Sequence, residues 1–318
     1  MGPLALPLRP EADELLSSWL RRVALANAPA LHTFCNTYWR GVQLWNRDLD
    51  CSAPPIVWQD LAQGTGTAIQ AARNTTMQGF EGVLVEKIRV TGSTDLILAA
   101  GIYHRIRRNH GQQWCPLCLS ADVEPYYRRR WRLAIASTCP RHGIVLADGC
   151  HECGAPAMPH RGADPYCHHC YADRRDHPSK VADSWALQFE YRLTRLLDPD
   201  EVPQTRLEEM HPLAFYGLVR HVFSAVAQGE RSQGLRDEIA RHWGGDPAPA
   251  VGHQLEYMRA DDRHRMIGLV ARVMRGWPWL FIAHCADARV WKSWAFGDRR
   301  DGKAVFAYAD ILERYLTH

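Results

Sequence analysis

Four short chelating pairs, all between residues 115 and 170, constrain this chain more than any other feature. They are Cys115 and Cys118, Cys139 and His142, Cys150 and Cys153, and Cys167 and Cys170. Two ligands three residues apart on a tight turn can aim both donor atoms at one ion, with each sulfur about 2.3 Å away. A second pair closes the tetrahedron, so four pairs predict two tetrahedral sites. Thiolate-rich ligation favours zinc, with iron the weaker fit, and the expected cofactors are two structural Zn2+. Chain order groups Cys115, Cys118, Cys139 and His142 at one ion and Cys150, Cys153, Cys167 and Cys170 at the other. A cross-braced arrangement, first pair with third and second with fourth, is the alternative; contiguous ribbons need fewer chain crossings. His151, His160, His168 and His169 stand in the same stretch, either as competing ligands or as solvated knuckle residues.

The ligand count bears on chemistry. A catalytic zinc has three protein ligands and an open position for water, whereas four protein ligands leave none. The deaminase pattern needs His-x-Glu ahead of its cysteine pair, and His151-Glu152-Cys153 has the wrong spacing. No carboxylate cluster suited to a nuclease stands out. The expectation is therefore a structural clasp in a protein that is not an enzyme.

Seven of the ten cysteines lie in this window, and Cys35, Cys51 and Cys285 are scattered, which does not resemble a secretory disulfide framework. Cys35 sits on the apolar face of a candidate helix and reads as a small core residue. A length of 318 residues accommodates two or three compact units. No uncharged apolar run of membrane-spanning length occurs, and MGPLALPLRPEADELL lacks the basic segment and cleavage pattern of a leader, so the expected location is cytoplasmic, without a membrane partner. Net charge is only +3, so any nucleic-acid surface must be a local patch.

Seven thiolates and two divalent ions leave about −3 on the cluster. Arg105, Arg107, Arg108, Arg128, Arg129, Arg130 and Arg132 lie near it in sequence. They serve either as local neutralisation and hydrogen bonding to thiolates or as a strip facing phosphate or a partner. Alternation through Tyr127–Leu133 suggests a strand or short helix with one face exposed.

The flanking sequence is helical. Pro10-Glu11-Ala12-Asp13 opens a helix carrying Leu15, Leu16, Trp19, Leu20, Val23 and Ala24 at helical spacing to about Asn27, with acids in its first turn. A second helix is expected over Leu31–Arg40. In Ile56–Met77 a helix through Trp58 and Leu61 breaks at Gly64-Thr65-Gly66, and a short helix follows with Ile69, Ala72 and Thr75 in phase. This pattern resembles a helix-turn-helix whose second helix offers Gln70, Arg73 and Asn74 to a major groove; helical hairpins that bind nothing share it. Further helices are expected through Trp185–Leu196, Pro212–Val226 and Asp261–Arg275, the last stopped at Gly276-Trp277-Pro278. Gly244–Pro249 reads as a loop. Trp277, Trp279, Trp291 and Trp294 form either a core or a docking surface. The expected fold class is mainly α with small zinc-ribbon insertions. Its regions are an N-terminal helical, helix-turn-helix-like region (1–110), tandem zinc knuckles (111–176) and a C-terminal helical region (177–318).

The stretches LPLRPEADELLSSWLRRVALAN, LAQGTG, WCPLCLSADVEPYYRRRWRLAIASTCPRHGIVLADGCHECGAP and the later GWP together resemble the TniQ/TnsD family of transposition proteins. The central run is the specific part. The likeness covers most of residues 4–175 and thins toward the C-terminus. It implies target-site selection for a DNA transposon by a non-catalytic adaptor that recruits an AAA+ transposition ATPase. The recognition partner it implies is either attachment-site DNA or the guide-RNA effector complex of a CRISPR-associated transposon. A homodimer stays open. The competing reading is a stand-alone, zinc-containing, sequence-specific DNA-binding regulator. Gln70, Arg73 and Asn74, with Arg128, Arg129 and Arg130, are the candidate nucleic-acid or partner contacts under either reading.

Overall fold

The computed structural model describes residues 1–100, 109–161, 165–250, 254–291 and 309–316. Arg105, Arg107, Arg108 and Trp294 lie outside the described residues. The chain divides into two compact units, one made of residues 1–133 and 146–179, the other of residues 134–145 and 180–318.

The first unit contains α1 (Leu16–Asn27), α2 (Leu31–Tyr38), α3 (Leu49–Ser52), α4 (Pro55–Thr65), α5 (Ile69–Arg73) and α6 (Pro116–Ala121). Its core joins Leu16, Trp19, Leu20 and Val23 of α1 to Phe34 and Cys35 of α2 and to Val57, Trp58 and Leu61 of α4. Cys35 is thus a core residue. The first helix begins six residues later than the expected Pro10, and no acid stands in its first turn. Glu14 explains this: it is buried and accepts hydrogen bonds from Ser18 Oγ (2.8 Å), Glu11 N (2.9 Å) and Arg22 Nη1 (2.8 Å). These bonds hold Glu11–Glu14 as a turn ahead of the helix. Asp13, in left-handed conformation (φ 60°), presents its carbonyl to Arg129 N at 2.7 Å. Arg129–Arg132 consequently forms a short 3-10 turn laid along the segment before α1.

Helix α4 carries Pro55 at its first turn and ends at Gly66, whose φ of +65° is the left-handed cap that glycine takes at least cost. Gly64 and Thr65 stay inside the helix. Gly64 lies against the N-terminal segment: its carbonyl accepts Leu4 N at 2.9 Å, and an added Cβ would stand 2.6 Å from Met1 Sδ, so the flexible Met1 side chain would have to shift. Helix α5 is five residues long; Ala72 and the following Thr75 are buried, whereas Ile69 is 54% exposed and does not join the expected packed face.

The most buried charges of this unit form one knot. Arg132 pairs with Asp50 (2.9 Å) and Asp48 and donates to Leu98 O (2.7 Å). Asp50 also accepts Ser17 N (2.8 Å) and Ser17 Oγ (2.9 Å). The guanidinium and the two hydrogen bonds offset part, not all, of the desolvation cost of this buried carboxylate.

The second unit holds an antiparallel pair, β1 (Thr138–Cys139) and β2 (Ile144–Val145), with Thr138 opposite Val145 and Cys139 opposite Ile144. Its helices are α7 (Ser184–Arg195), α8 (Pro212–Ala227), α9 (Gln233–Trp243), α10 (Ala260–Met274), α11 (Trp279–Asp287) and α12 (Ala309–Tyr315). Helix α10 is the central element, packed by α7, α8, α9 and α11, and it is buried on nearly every side. Its buried Arg272 is satisfied by Asp183 (2.8 Å) and Gly268 O (2.7 Å). Helices α7, α8 and α10 fall where the apolar spacing places them. Helix α9 escapes that reading because its inner face mixes Leu235 and Ile239 with buried Arg236 and Glu238. Trp279 and Trp291 are 57% and 68% exposed, so the C-terminal tryptophans are not a common core; Trp279 meets Tyr315 edge-on with ring centroids 5.1 Å apart. Among the described residues no single helix is long and apolar enough to cross a membrane.

A polar knot anchors β1 in the second unit. Glu190 of α7 accepts Ser137 N (2.8 Å), Ser137 Oγ and Thr138 Oγ1 (2.5 Å). His264 of α10 faces Ser137 Oγ through Nδ1 (3.1 Å) and accepts Asp183 N at Nε2 (2.9 Å). Burial pushes the His264 imidazole down to about 4, with Lys180 and Arg263 adding to the shift and Asp183 and Asp261 opposing it. The unfolded imidazole titrates near 6.5. Between those values the unfolded chain takes up a proton that the folded chain refuses, so stability falls as pH drops through this window, by up to roughly 3 kcal/mol. Urea unfolding at pH 7, 6, 5 and 4 checks this. The His264→Asn variant is expected to start less stable and show a shallower acid slope, and an unchanged slope would assign the acid sensitivity elsewhere.

Candidate metal centres

Three of the four chelating pairs share one backbone design. The carbonyl of the leading cysteine accepts an N–H from the residue four positions on: Cys139 from Gly143 (2.8 Å), Cys150 from Gly154 (2.8 Å) and Cys167 from Tyr171 (3.0 Å). That fourth residue is left-handed each time, at φ 65°, 71° and 62°. For Cys150 and Cys167 the N–H closes the loop on the carbonyl five residues on, Ala155 and Ala172, at 2.9 and 2.8 Å. The two knuckles of the second group are therefore near copies of each other. The Cys115–Cys118 pair is built differently, with Cys115 at the N-terminus of α6, where its sulfur accepts Cys118 N at 3.4 Å.

These turns converge the donors. The ligand atoms of Cys115, Cys118, Cys139 and His142 lie within 4.8 Å of one another, and so do those of Cys150, Cys153, Cys167 and Cys170. Cys139 Sγ stands 3.5 Å from His142 Nδ1, Cys150 Sγ 3.5 Å from Cys170 Sγ, and Cys153 Sγ 3.7 Å from Cys167 Sγ. A tetrahedron with arms of about 2.3 Å has edges of about 3.8 Å, so the spacing suits a zinc ion. The sulfurs are far beyond disulfide length. His151, His160, His168 and His169 are not donors of either group; His160 is buried against the Trp45 ring instead, with centroids 6.1 Å apart.

The electrostatics of the second group also ask for a cation. Burial and the neighbouring thiols Cys170, Cys167 and Cys150 push Cys153 up to about 12. Cys167 is lowered to about 7 despite its burial, because the N–H groups of Cys170 and His169 face it, with Cys153 and Cys150 donating as well. One sulfur is thus ready to ionise while another resists sharing the site with it. A divalent ion removes that conflict and lets all four act as thiolates. Both groups could hold zinc, and with four protein donors each such a site is closed and structural.

The arginines near the cluster are paired chiefly with carboxylates. Arg128 grips Asp122 through two bonds (2.7 and 3.1 Å) and lies over the Tyr126 ring at 4.1 Å. Arg129 and Arg130 divide the two oxygens of Asp13, at 3.2 and 2.9 Å, and Arg130 is the more exposed of the two. Gln70, Arg73 and Asn74 all face solvent on or just after α5, with Gln70 Nε2 donating to Asn74 Oδ1 at 3.0 Å.

The chain is mainly helical and carries two four-donor, cysteine-rich groups that could each hold a metal ion. Residues 5–146 match the TniQ family model, so this segment of the chain is a TniQ domain. The family relation implies a role in DNA transposition, in the selection of the target site. The matched segment holds the whole first donor group and ends before Cys150, so the second group lies beyond it. No curated protein matches the chain at a significant level.

Proposed function

We propose that this protein is a non-catalytic adaptor of transposition that links a target-recognition entity to an AAA+ transposition ATPase. The match to TniQ over residues 5–146 carries this reading. Four protein donors at each metal group support a scaffold role, since a water could enter neither site without displacing a ligand. Zinc held by these residues supplies folding energy to a loop-rich segment with little core of its own. The adaptor works in the cytoplasm, where free thiols persist.

Recognition is assigned to a separate entity, a guide-RNA effector complex in preference to bare duplex. Helix α4, the Gly66 turn and the short α5 follow one another, and the exposed Gln70, Arg73 and Asn74 on or just after α5 are the proposed contact residues. At 1.5 Å per residue α5 is only about 7.5 Å long, short against a major groove about 12 Å wide. The arginines 128–130 are already matched by Asp122 and Asp13, so they suit positioning against a partner better than phosphate gripping. Direct reading of attachment-site DNA is the second form of the proposal, favoured by the solvent-facing α5 side chains.

Binding of the purified protein to random duplex DNA and to its element's AAA+ ATPase, across a salt series, tests both forms. The adaptor is expected to bind the ATPase and to bind duplex weakly without sequence preference. Tight selection of one duplex, weakened by Arg73→Ala, supports direct recognition. Binding to neither overturns the proposal.

A further inference from the structure

Helix α9 carries Glu238 and His242 four residues apart, a spacing that stacks two side chains on one face of a helix. Helix α11 brings His284 to the same place, and one ligand atom from each of the three residues lies within 4.8 Å of the others. Glu238 and His284 are buried, and His242 is about half exposed, so the group opens to solvent on one side. Glu238 divides its oxygens: one pairs with Arg241, while Oε1 stands 3.0 Å from His242 Nδ1. The two imidazole rings have centroids 5.4 Å apart.

A second observation points to a ligand. His284 Nδ1 is buried and has no hydrogen-bond partner among the described residues, while Nε2 accepts Trp243 Nε1–H at 2.9 Å. A buried ring nitrogen without a partner of its own costs energy as it stands.

The geometry points to a third metal site, in which Glu238, His242 and His284 bind a divalent transition metal through one carboxylate and two imidazoles and leave a coordination position open to solvent. One carboxylate and two imidazoles are a recognised three-ligand set for zinc. This set differs from the two thiolate groups in donor chemistry, in openness and in strength. Trp243 opposes the metal: while it donates to Nε2, the ring proton sits on Nδ1, and a metal on either nitrogen must displace that hydrogen bond. The third ion is therefore held more loosely than the two among the cysteines. The cue in the sequence is Glu-x3-His within Gln233–Trp243, but nothing there points to residue 284 as the third donor.

Equilibrium dialysis of the full chain against buffered zinc, with metal counted by mass spectrometry, tests this. Two ions per chain are expected at nanomolar free zinc and three at micromolar. His242→Ala, at an exposed position that leaves the fold intact by circular dichroism, should hold two ions at both levels. Trp243→Phe removes the competing donor and should take up the third ion at roughly fivefold lower free zinc, the worth of one hydrogen bond. Cobalt gives an independent readout, because a third Co2+ should bind without adding to the sulfur-to-metal charge-transfer band. A wild-type chain that stops at two ions, a third ion indifferent to His242→Ala, or a third ion that adds sulfur absorption would each overturn the assignment.

Discussion

Replacing Cys115 with serine should release one tightly held zinc ion and unfold the knuckle around it, the largest effect expected of any single substitution in this chain. Cys115 is buried, begins α6, and is one of four donors converging within 4.8 Å with Cys118, Cys139 and His142. Structural zinc contributes about 10–16 kcal/mol in small peptides at neutral pH, and in this chain part of that is offset by backbone bonds that survive, such as Trp114 N to Ala147 O at 2.9 Å. Native mass spectrometry at low free zinc should read two ions for the wild type and one for the variant, and hydrogen exchange should show lost protection around residues 114–122. Chelation of the wild type should do the same at both groups, with recovery on adding zinc back. A chain that stays folded and protected without metal would sink the structural role.

The second large effect is expected from Arg132→Ala. Its guanidinium is fully buried, paired with Asp50 and Asp48, and no water can replace it without opening the core. Removing one partner of such a pair leaves an uncompensated buried charge and costs about 3–5 kcal/mol. The pH dependence of this loss identifies its cause. Burial, with Asp48 adding and Arg132 opposing, already raises Asp50 from 3.8 to about 6. A carboxyl whose folded value lies above its unfolded one is destabilising when ionised, and that penalty fades as pH falls through the folded value. Without Arg132 the value rises further, so the deficit of the variant relative to wild type should shrink between pH 8 and pH 5. Denaturant midpoints at those two pH values decide it; a deficit that does not change with pH would mean that lost packing, not the stranded carboxylate, is responsible.

The legible parts of the fold share a cause. Helices α1, α8 and α10 were readable because apolar residues recur along them at helical spacing, and Pro or Gly marks their ends. The donors were readable because chelation demands a fixed local spacing that chance rarely repeats four times. Helix α9 was not, since Arg236 and Glu238 occupy its inner face and break the apolar stripe. The start of α1 was misplaced for a similar reason: Glu11 and Asp13 look like first-turn acids, yet Glu14 withdraws into a buried set of bonds with Ser18 and Arg22 and turns the chain before the helix begins. Whether arginines 128–130 are neutralised locally or form an exposed strip stays open in the sequence, because their partners, Asp122 and Asp13, are identified only when the chain is folded.

By itself the sequence picked out eight candidate donors in four chelating pairs and a mainly helical chain around them, because these properties depend on spacing over a few residues. Tertiary structure alone decided how the four pairs are shared between two groups, which arginines are already neutralised, and that His284 meets Glu238 and His242 from another helix. Most of those outcomes depend on contacts between residues tens of positions apart. Such contacts are chosen by burial and electrostatic compensation across the whole core, and neither is written in any short stretch of residues.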